Sequence, residues 1–218
     1  MGWKRPLIGF VAAAFVALPM FVSAQVESLE FRVDGVSCSG CALRIKSALK
    51  PFESIEKIDV DVDEGVIQIR PSEEKWVPVY DVEATLGKNG FPSLKAYISL
   101  KGKILTLAAA REKADAKEAK MLDALLEAAK ASKIDLPKEE DALLVRVEKP
   151  FGYLFLLEGT KEEPAPAFNE ATRLVGKTVT LTGLLPKRNV EEAETSKKGK
   201  VPVIGVRPEK VKAAAATP

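Results

Sequence analysis

The chain contains no histidine. Without imidazole there is no side chain whose ordinary charge change falls near neutral pH, and no Ser–His or Cys–His catalytic pair. A closed zinc site built from cysteine and histidine is excluded as well. Methionine is confined to Met1, Met20 and Met121, so a methionine- and histidine-rich copper site cannot form. An excess of charge is missing too, with 33 basic against 31 acidic residues. Binding to phosphate backbones draws on a net basic face, and nothing of that kind stands out, so no nucleic-acid partner is expected. Cysteine is almost missing: there are 2, Cys38 and Cys41.

The first 24 residues read as an export signal. Trp3-Lys4-Arg5 supplies a positive start, Leu7 to Val22 is uncharged, and Val22-Ser23-Ala24 offers the small residues read at a cleavage site. The uncharged run falls short of the roughly 20 residues of a membrane span, and Pro19 interrupts it. No cysteine stands at the cleavage point, which argues against a lipoprotein signal. The expectation is a periplasmic or secreted protein cut after Ala24 and not integral to a membrane. Removing Lys4 and Arg5 leaves the remainder formally neutral. It is long enough for one large domain or two small ones.

Both cysteines sit in Asp34-Gly35-Val36-Ser37-Cys38-Ser39-Gly40-Cys41. A strand is predicted before it, over Leu29–Val33. A helix is predicted after it, from Cys41 to Lys50, with Ile45, Ala48, Leu49 and Phe52 on one buried face. The sulfurs therefore fall on an exposed loop and a first helical turn, where free N–H groups and the helix dipole favour thiolate. Such thiolates bind a soft metal or exchange electrons. A structural disulfide is the third reading. In the chain-entropy model, closing a loop this short contributes about 2 kcal/mol, near the low end for disulfides, so the spacing suits function better than stability.

The order of elements from 26 to 100 is legible. Ile58, Val60 and Val62 alternate with Asp59, Asp61 and Asp63 as a half-buried strand, Glu64-Gly65 turns, and Val66 to Ile69 returns. Val79, Val82 and Leu86 form a helical stripe closing at Gly87 or Asn89-Gly90. Ser93 to Leu100 is a last strand. The sum is βαββαβ, the ferredoxin-like arrangement.

Gly35-Val36-Ser37-Cys38-Ser39-Gly40-Cys41 resembles the Gly-Met-Thr/Ser-Cys-x-x-Cys loop of the heavy-metal-associated domains, the small modules of copper chaperones, metal-transporting ATPases and the periplasmic mercury-binding protein. Lys88-Asn89-Gly90-Phe91 resembles the loop of that family whose aromatic residue packs beneath the metal. The resemblance covers about a third of the chain. It implies Cys38 and Cys41 as ligands, with Gly35, Val36, Ser37, Gly40 and Phe91 in support, and a metal-transporting ATPase or other thiol carrier as partner. Val36 stands where the family usually has methionine, and being smaller and β-branched it holds the loop less tightly. Ser37, rather than an acid, before the first cysteine resembles the copper and mercury branch. Asp34 precedes the turn and is expected to be solvated or capping.

Two thiolates without a third ligand suit a soft ion of low coordination, Cu(I), Ag(I) or Hg(II). A thioredoxin-like site is the competing expectation. It wants an aromatic where Ser37 stands, and a different order of elements.

From Leu107 to Lys133 the chain is rich in Ala, Lys, Glu and Leu without Gly or Pro, predicting one long linking helix within 101–137. Leu122, Leu125, Leu126 and Ala129 form a stripe that docks on the next domain. Residues 138–212 read as β-rich. Strands are expected over Ala142–Val147, Tyr153–Leu157, Thr178–Gly183 and Val201–Val206, with a short helix over Phe168–Leu174. This pattern resembles a small OB-like barrel. Phe151, Tyr153 and Phe155 are read as packing, Asn189–Lys200 as an exposed charged loop, and 213–218 as a disordered tail. Nothing in this half looks catalytic, so the expected function is soft-metal capture and transfer, not enzymology. A thiol–disulfide oxidoreductase and an envelope scaffold with an oxidised cysteine pair are the alternatives.

Overall fold

The computed structural model describes residues 25–132, 134, 136–138, 141–160, 165–186 and 205–214. The predicted export signal, the loop over Asn189–Lys200, the segment 201–204 and the end of the predicted tail (215–218) lie outside the described residues.

Among the described residues, eight strands and five helices follow in order: β1 (Val26–Val33), α1 (Ser39–Leu49), β2 (Ile55–Asp61), β3 (Val66–Pro71), α2 (Val79–Lys88), β4 (Ser93–Thr106), α3 (Leu107–Lys113), α4 (Ala116–Ala131), β5 (Leu143–Glu148), β6 (Phe151–Leu156), α5 (Phe168–Arg173), β7 (Thr178–Leu184) and β8 (Gly205–Ala213). The first six elements pair as β2-β3-β1-β4, antiparallel throughout. This is the ferredoxin-like α+β region expected from the βαββαβ order. Phe31, Ile67, Ile69 and Ile98 are buried against Ile45 and Leu49 of α1 and Val82 and Leu86 of α2. Each such aliphatic or aromatic side chain taken from water contributes on the order of 2 kcal/mol. Alternation of Ile58 and Val60 with exposed Asp59 and Asp61 gives β2 one half-buried face and one wet face.

The remainder is β-rich, and β4 itself enters it ahead of α3 and α4. β4 runs past the expected end at Leu100 to Thr106. Along its first half it pairs with β1, and beyond Gly102 with β5. Its opposite edge pairs with β7 over Tyr97–Lys103. Strands β4, β5, β6, β8 and β7 thus close on one another, with β7 returning to β4. A single hydrophobic cluster extends from Leu29 to Val211, so both halves share one core.

The single helix predicted from Leu107 to Lys133 is two. Ala114 is extended at ψ 133°, and Asp115 caps α4 by accepting from the N–H groups of Lys117 and Glu118 at 2.8 Å. A short side chain that satisfies free helical donors competes with uninterrupted helix at that point. Leu122, Leu125 and Ala129 of α4 bury against Leu144 and Phe155, which makes the docking face the predicted stripe. The other faces of β5 and β6, carrying Leu143, Val145, Leu154 and Leu156, belong to the shared core. Burial on both faces explains the nearly unbroken apolar runs of these strands. Tyr153 and Phe155 are buried and Phe151 packs beside them.

The final strand departs from expectation as well. Lys212 and Ala213, placed toward a frayed end by sequence, pair with Thr180 and Val179. Ladder bonds to β7 hold them where side-chain pattern alone gives little signal.

Candidate metal centre

β1 ends at Val33 and the chain turns at once. Asp34 donates its N–H to the carbonyl of Pro92 at 3.1 Å, and its carboxylate accepts from the N–H of Gly35 at 2.8 Å. Asp34 is therefore an exposed turn residue, the solvated of the two expected roles. Gly35 has φ +80°, and a Cβ there would meet the carbonyl oxygen of Gly90 at 3.2 Å. Gly90 itself has φ +88°. A left-handed backbone in close approach to a second loop is the setting that favours glycine, so the cysteine loop and the 89–92 segment lie against each other.

Val36 is half-buried and packs on the core, while Ser37 is exposed. Cys38 is the N-cap of α1, extended at φ −153° and ψ 155°. Its Sγ accepts from the N–H of Cys41 at 3.1 Å, and its carbonyl accepts from Cys41 and Ala42 at 3.0 and 3.3 Å. The first sulfur thus takes the place of the hydroxyl or carboxylate that usually satisfies these donors. Cys38 is exposed; Cys41, one position into the first turn beyond Gly40, is half-buried and packs on the core. The Cα atoms are 5.2 Å apart and the two sulfurs are joined as a disulfide. A Cβ on Gly40 would reach the Sγ of Cys38 at 3.7 Å, an ordinary contact, so this glycine is not required by crowding. Phe91 is 2% exposed, beneath the segment that faces the loop.

One residue of this end escaped sequence reasoning. Arg44, on α1, donates to the carbonyl of Asn89 at 2.9 Å, and its guanidinium carbon stands 5.2 Å from the centre of the Phe91 ring. The only available signal was its position three residues after Cys41, on the same flank of a helix. Among the described residues no group of three or more His, Cys, Asp or Glu side chains is placed to hold a metal. The donor set at this end of the molecule is the two sulfurs.

Residues 30–92 match the model of the heavy-metal-associated domain. This first region of the chain is a heavy-metal-associated domain. Among curated proteins, the mercuric transport protein periplasmic component of an Alcaligenes species is 29% identical over 91 residues, 41% of this chain and 94% of that one. The protein of the same description from Acinetobacter calcoaceticus is 37% identical over 60 residues, 28% of this chain and 63% of its own length, so the chain spans less than two thirds of that relative. Among solved structures, a CopZ metallochaperone aligns at 20% identity and TM-score 0.29, over 31% of this chain and all of that one. Oxidized MerP from Ralstonia metallidurans CH34 aligns at 24% identity and TM-score 0.28, over 31% of this chain and 93% of that one. Cys38 and Cys41 both lie within the residues that match this family. Among the described residues no helix is long and apolar enough to cross a membrane.

Proposed function

We propose that the chain captures a soft cation, Cu(I) or Hg(II), between Cys38 and Cys41 and passes it to another thiol protein. The observation that carries this reading is the placement of both sulfurs at the N-terminus of α1, one exposed and one half-buried, with no His, Cys, Asp or Glu grouped with them as a third ligand among the described residues. Two thiolates satisfy an ion content with low coordination and leave Zn(II) short of its four ligands.

Loading starts from the reduced pair. A dithiol reductant supplies two electrons and two protons, breaks the Sγ–Sγ bond and leaves as its own disulfide. The ion then displaces the thiol protons, so affinity rises with pH until both thiols are ionised. Transfer is ligand exchange. An incoming thiolate bonds to the ion, one cysteine sulfur leaves and takes up a proton, and no electrons move between metal and protein. The chain is thus a carrier, not an enzyme, and its partner is a metal-transporting ATPase or another thiol carrier.

The periplasmic descriptions of the mercuric transport relatives support an envelope location, as does the signal-like pattern of residues 1–24. The closed strand order β4-β5-β6-β8-β7, with α5 between β6 and β7, supports an OB-like barrel for the second half.

Titrating the reduced protein with Cu(I), Hg(II) and Zn(II) tests the reading. One-to-one uptake of the soft ions, lost in Cys38→Ser and in Cys41→Ser, is expected. Retained stoichiometric binding in the double variant refutes it. The closed disulfide favours a second reading, thiol–disulfide exchange as the function itself. Insulin reduction by the protein at catalytic rates, with no metal uptake, would select it.

A further inference from the structure

Besides the backbone bonds that close α2, the 89–92 segment is tied to the cysteine loop at one end and to α1 at the other. At one end the Asp34 N–H donates to the Pro92 carbonyl. At the other, Arg44 donates to the Asn89 carbonyl and lies over the Phe91 ring. Between them, Gly35 and the carbonyl of Gly90 approach closely enough that a methyl group could not be inserted without displacement. The first tie is backbone to backbone and independent of side-chain identity. The second hangs on a single guanidinium, from the helix flank that also carries Cys41.

We infer that Arg44 is a positioning residue for sulfur exchange: by pinning Asn89-Gly90-Phe91 beside the cysteine loop, it limits how an incoming thiol reaches Cys41. The inference rests on the carrier reading for its biological meaning, since it is the partner's thiol that must enter. Its physical content, access to Cys41, is separate. The planar fork of arginine reaches a carbonyl while its face covers a ring, and a lysine ammonium at the same place does only one of these at a time. Cys38, exposed on the loop, is not expected to be governed by the pin.

A charge effect and a positioning effect carry opposite signs, which makes the test decisive. If Arg44 acted by favouring thiolate, its removal would slow attack by Cys41. If it restrains the segment, removal speeds attack. The rate of reaction of metal-free, reduced Cys38→Ser protein with a neutral aromatic disulfide, such as dithiodipyridine, reads Cys41 alone. In that background Arg44→Ala is expected to react about three- to tenfold faster, the scale of one lost charge-assisted hydrogen bond at a partly exposed site. Arg44→Lys is expected to fall between the two. The same substitution in the Cys41→Ser background should leave the rate at Cys38 unchanged. Amide exchange at Gly90 and Phe91 in the metal-free protein should quicken in Arg44→Ala while exchange in β5 and β6 does not, separating loss of the pin from general loosening. An unchanged or slower Cys41 rate overturns the inference. Failure of the wild-type protein to take up Cu(I) or Hg(II) sinks the carrier reading by itself, and the Cys41 rates still decide whether Arg44 restrains access.

Discussion

The indole N–H of Trp76 donates to the carbonyl oxygen of Phe151 at 3.0 Å, so the connection between β3 and α2 is tied to the first residue of β6. Beside it, the Lys149 ammonium is 3.0 Å from the Glu73 carboxylate, and the N–H of Val26 donates to the Lys149 carbonyl at 3.1 Å. The metal-binding domain is therefore seated on the second half through its β3–α2 connection as well as through β4.

Gly152 makes that seat sensitive. A Cβ there would stand 3.0 Å from the Trp76 ring, and the half-buried indole, held by its bond to Phe151, has little freedom to retreat. Gly152→Ala is expected to lower unfolding free energy by about 1–3 kcal/mol through overpacking. Trp76→Phe, which removes the donor and leaves the Phe151 carbonyl, is expected to cost about 1–3 kcal/mol. Urea unfolding followed by circular dichroism measures both. A stability equal to wild type in both variants would contradict this role for the contact.

Gly102 marks the place where β4 leaves β1 for β5. A Cβ at this position would meet the Val145 side chain at 2.6 Å and the Arg146 backbone at 2.7 Å. A backbone cannot give way as a flexible side chain does, so Gly102→Ala should destabilise by about 2 kcal/mol or more. Calorimetric melting of this variant beside Gly87→Ala, where nothing lies within 4 Å, isolates crowding from the loss of glycine.

Asp115 separates α3 from α4. Asp115→Ala removes the one carboxylate oxygen that accepts both capping hydrogen bonds and should cost about 1 kcal/mol, whereas Asp115→Asn should retain most of the stability. Chemical denaturation midpoints of the two variants check the difference.

Burial pushes the Tyr153 phenol up from its ordinary value of 10.0, and the nearby Glu118 carboxylate adds in the same direction. The folded state therefore holds the phenolic proton more tightly than the unfolded chain does. Stability from this group is intact below the ordinary phenol value, and falls as pH rises through it toward the higher folded-state value. Urea midpoints between about pH 9 and 11 should decline more steeply in wild type than in Tyr153→Phe. Parallel curves would show that another group governs alkaline unfolding.

With the pair oxidised, Cys38 is exposed and Cys41 half-buried and packed on the core. Iodoacetamide at limiting concentration is expected to label Cys38 several-fold faster, a ratio readable by peptide mass spectrometry. Equal labelling would mean that the loop opens on reduction.

Much of the metal-binding domain was legible because its signals are local. Alternation of Ile58 and Val60 with aspartates, the stripe of Val79, Val82 and Leu86, and cysteines between a strand and a helix each follow from side chains within one element. Arg44 was not legible, because its two partners lie far along the chain and an arginine on a helix surface is ordinarily only solvated. The break at Ala114-Asp115 was hidden in a stretch whose composition favours helix at nearly every position. The continuation of β4 was hidden by Lys101-Gly102-Lys103, which interrupts the apolar alternation.

The order and phase of the first six elements, and the placement of both cysteines where a strand gives way to a helix, follow from the amino-acid order alone, since hydrophobic period and helix-terminal chemistry act over a few residues. The closing of β7 onto β4, the recruitment of Lys212 and Ala213 into β8, the common core and the Arg44 contact with Asn89 belong to the folded chain. Each is a pairing between distant segments, and its energy exists only when backbone groups that sequence distance keeps apart are brought within hydrogen-bonding reach.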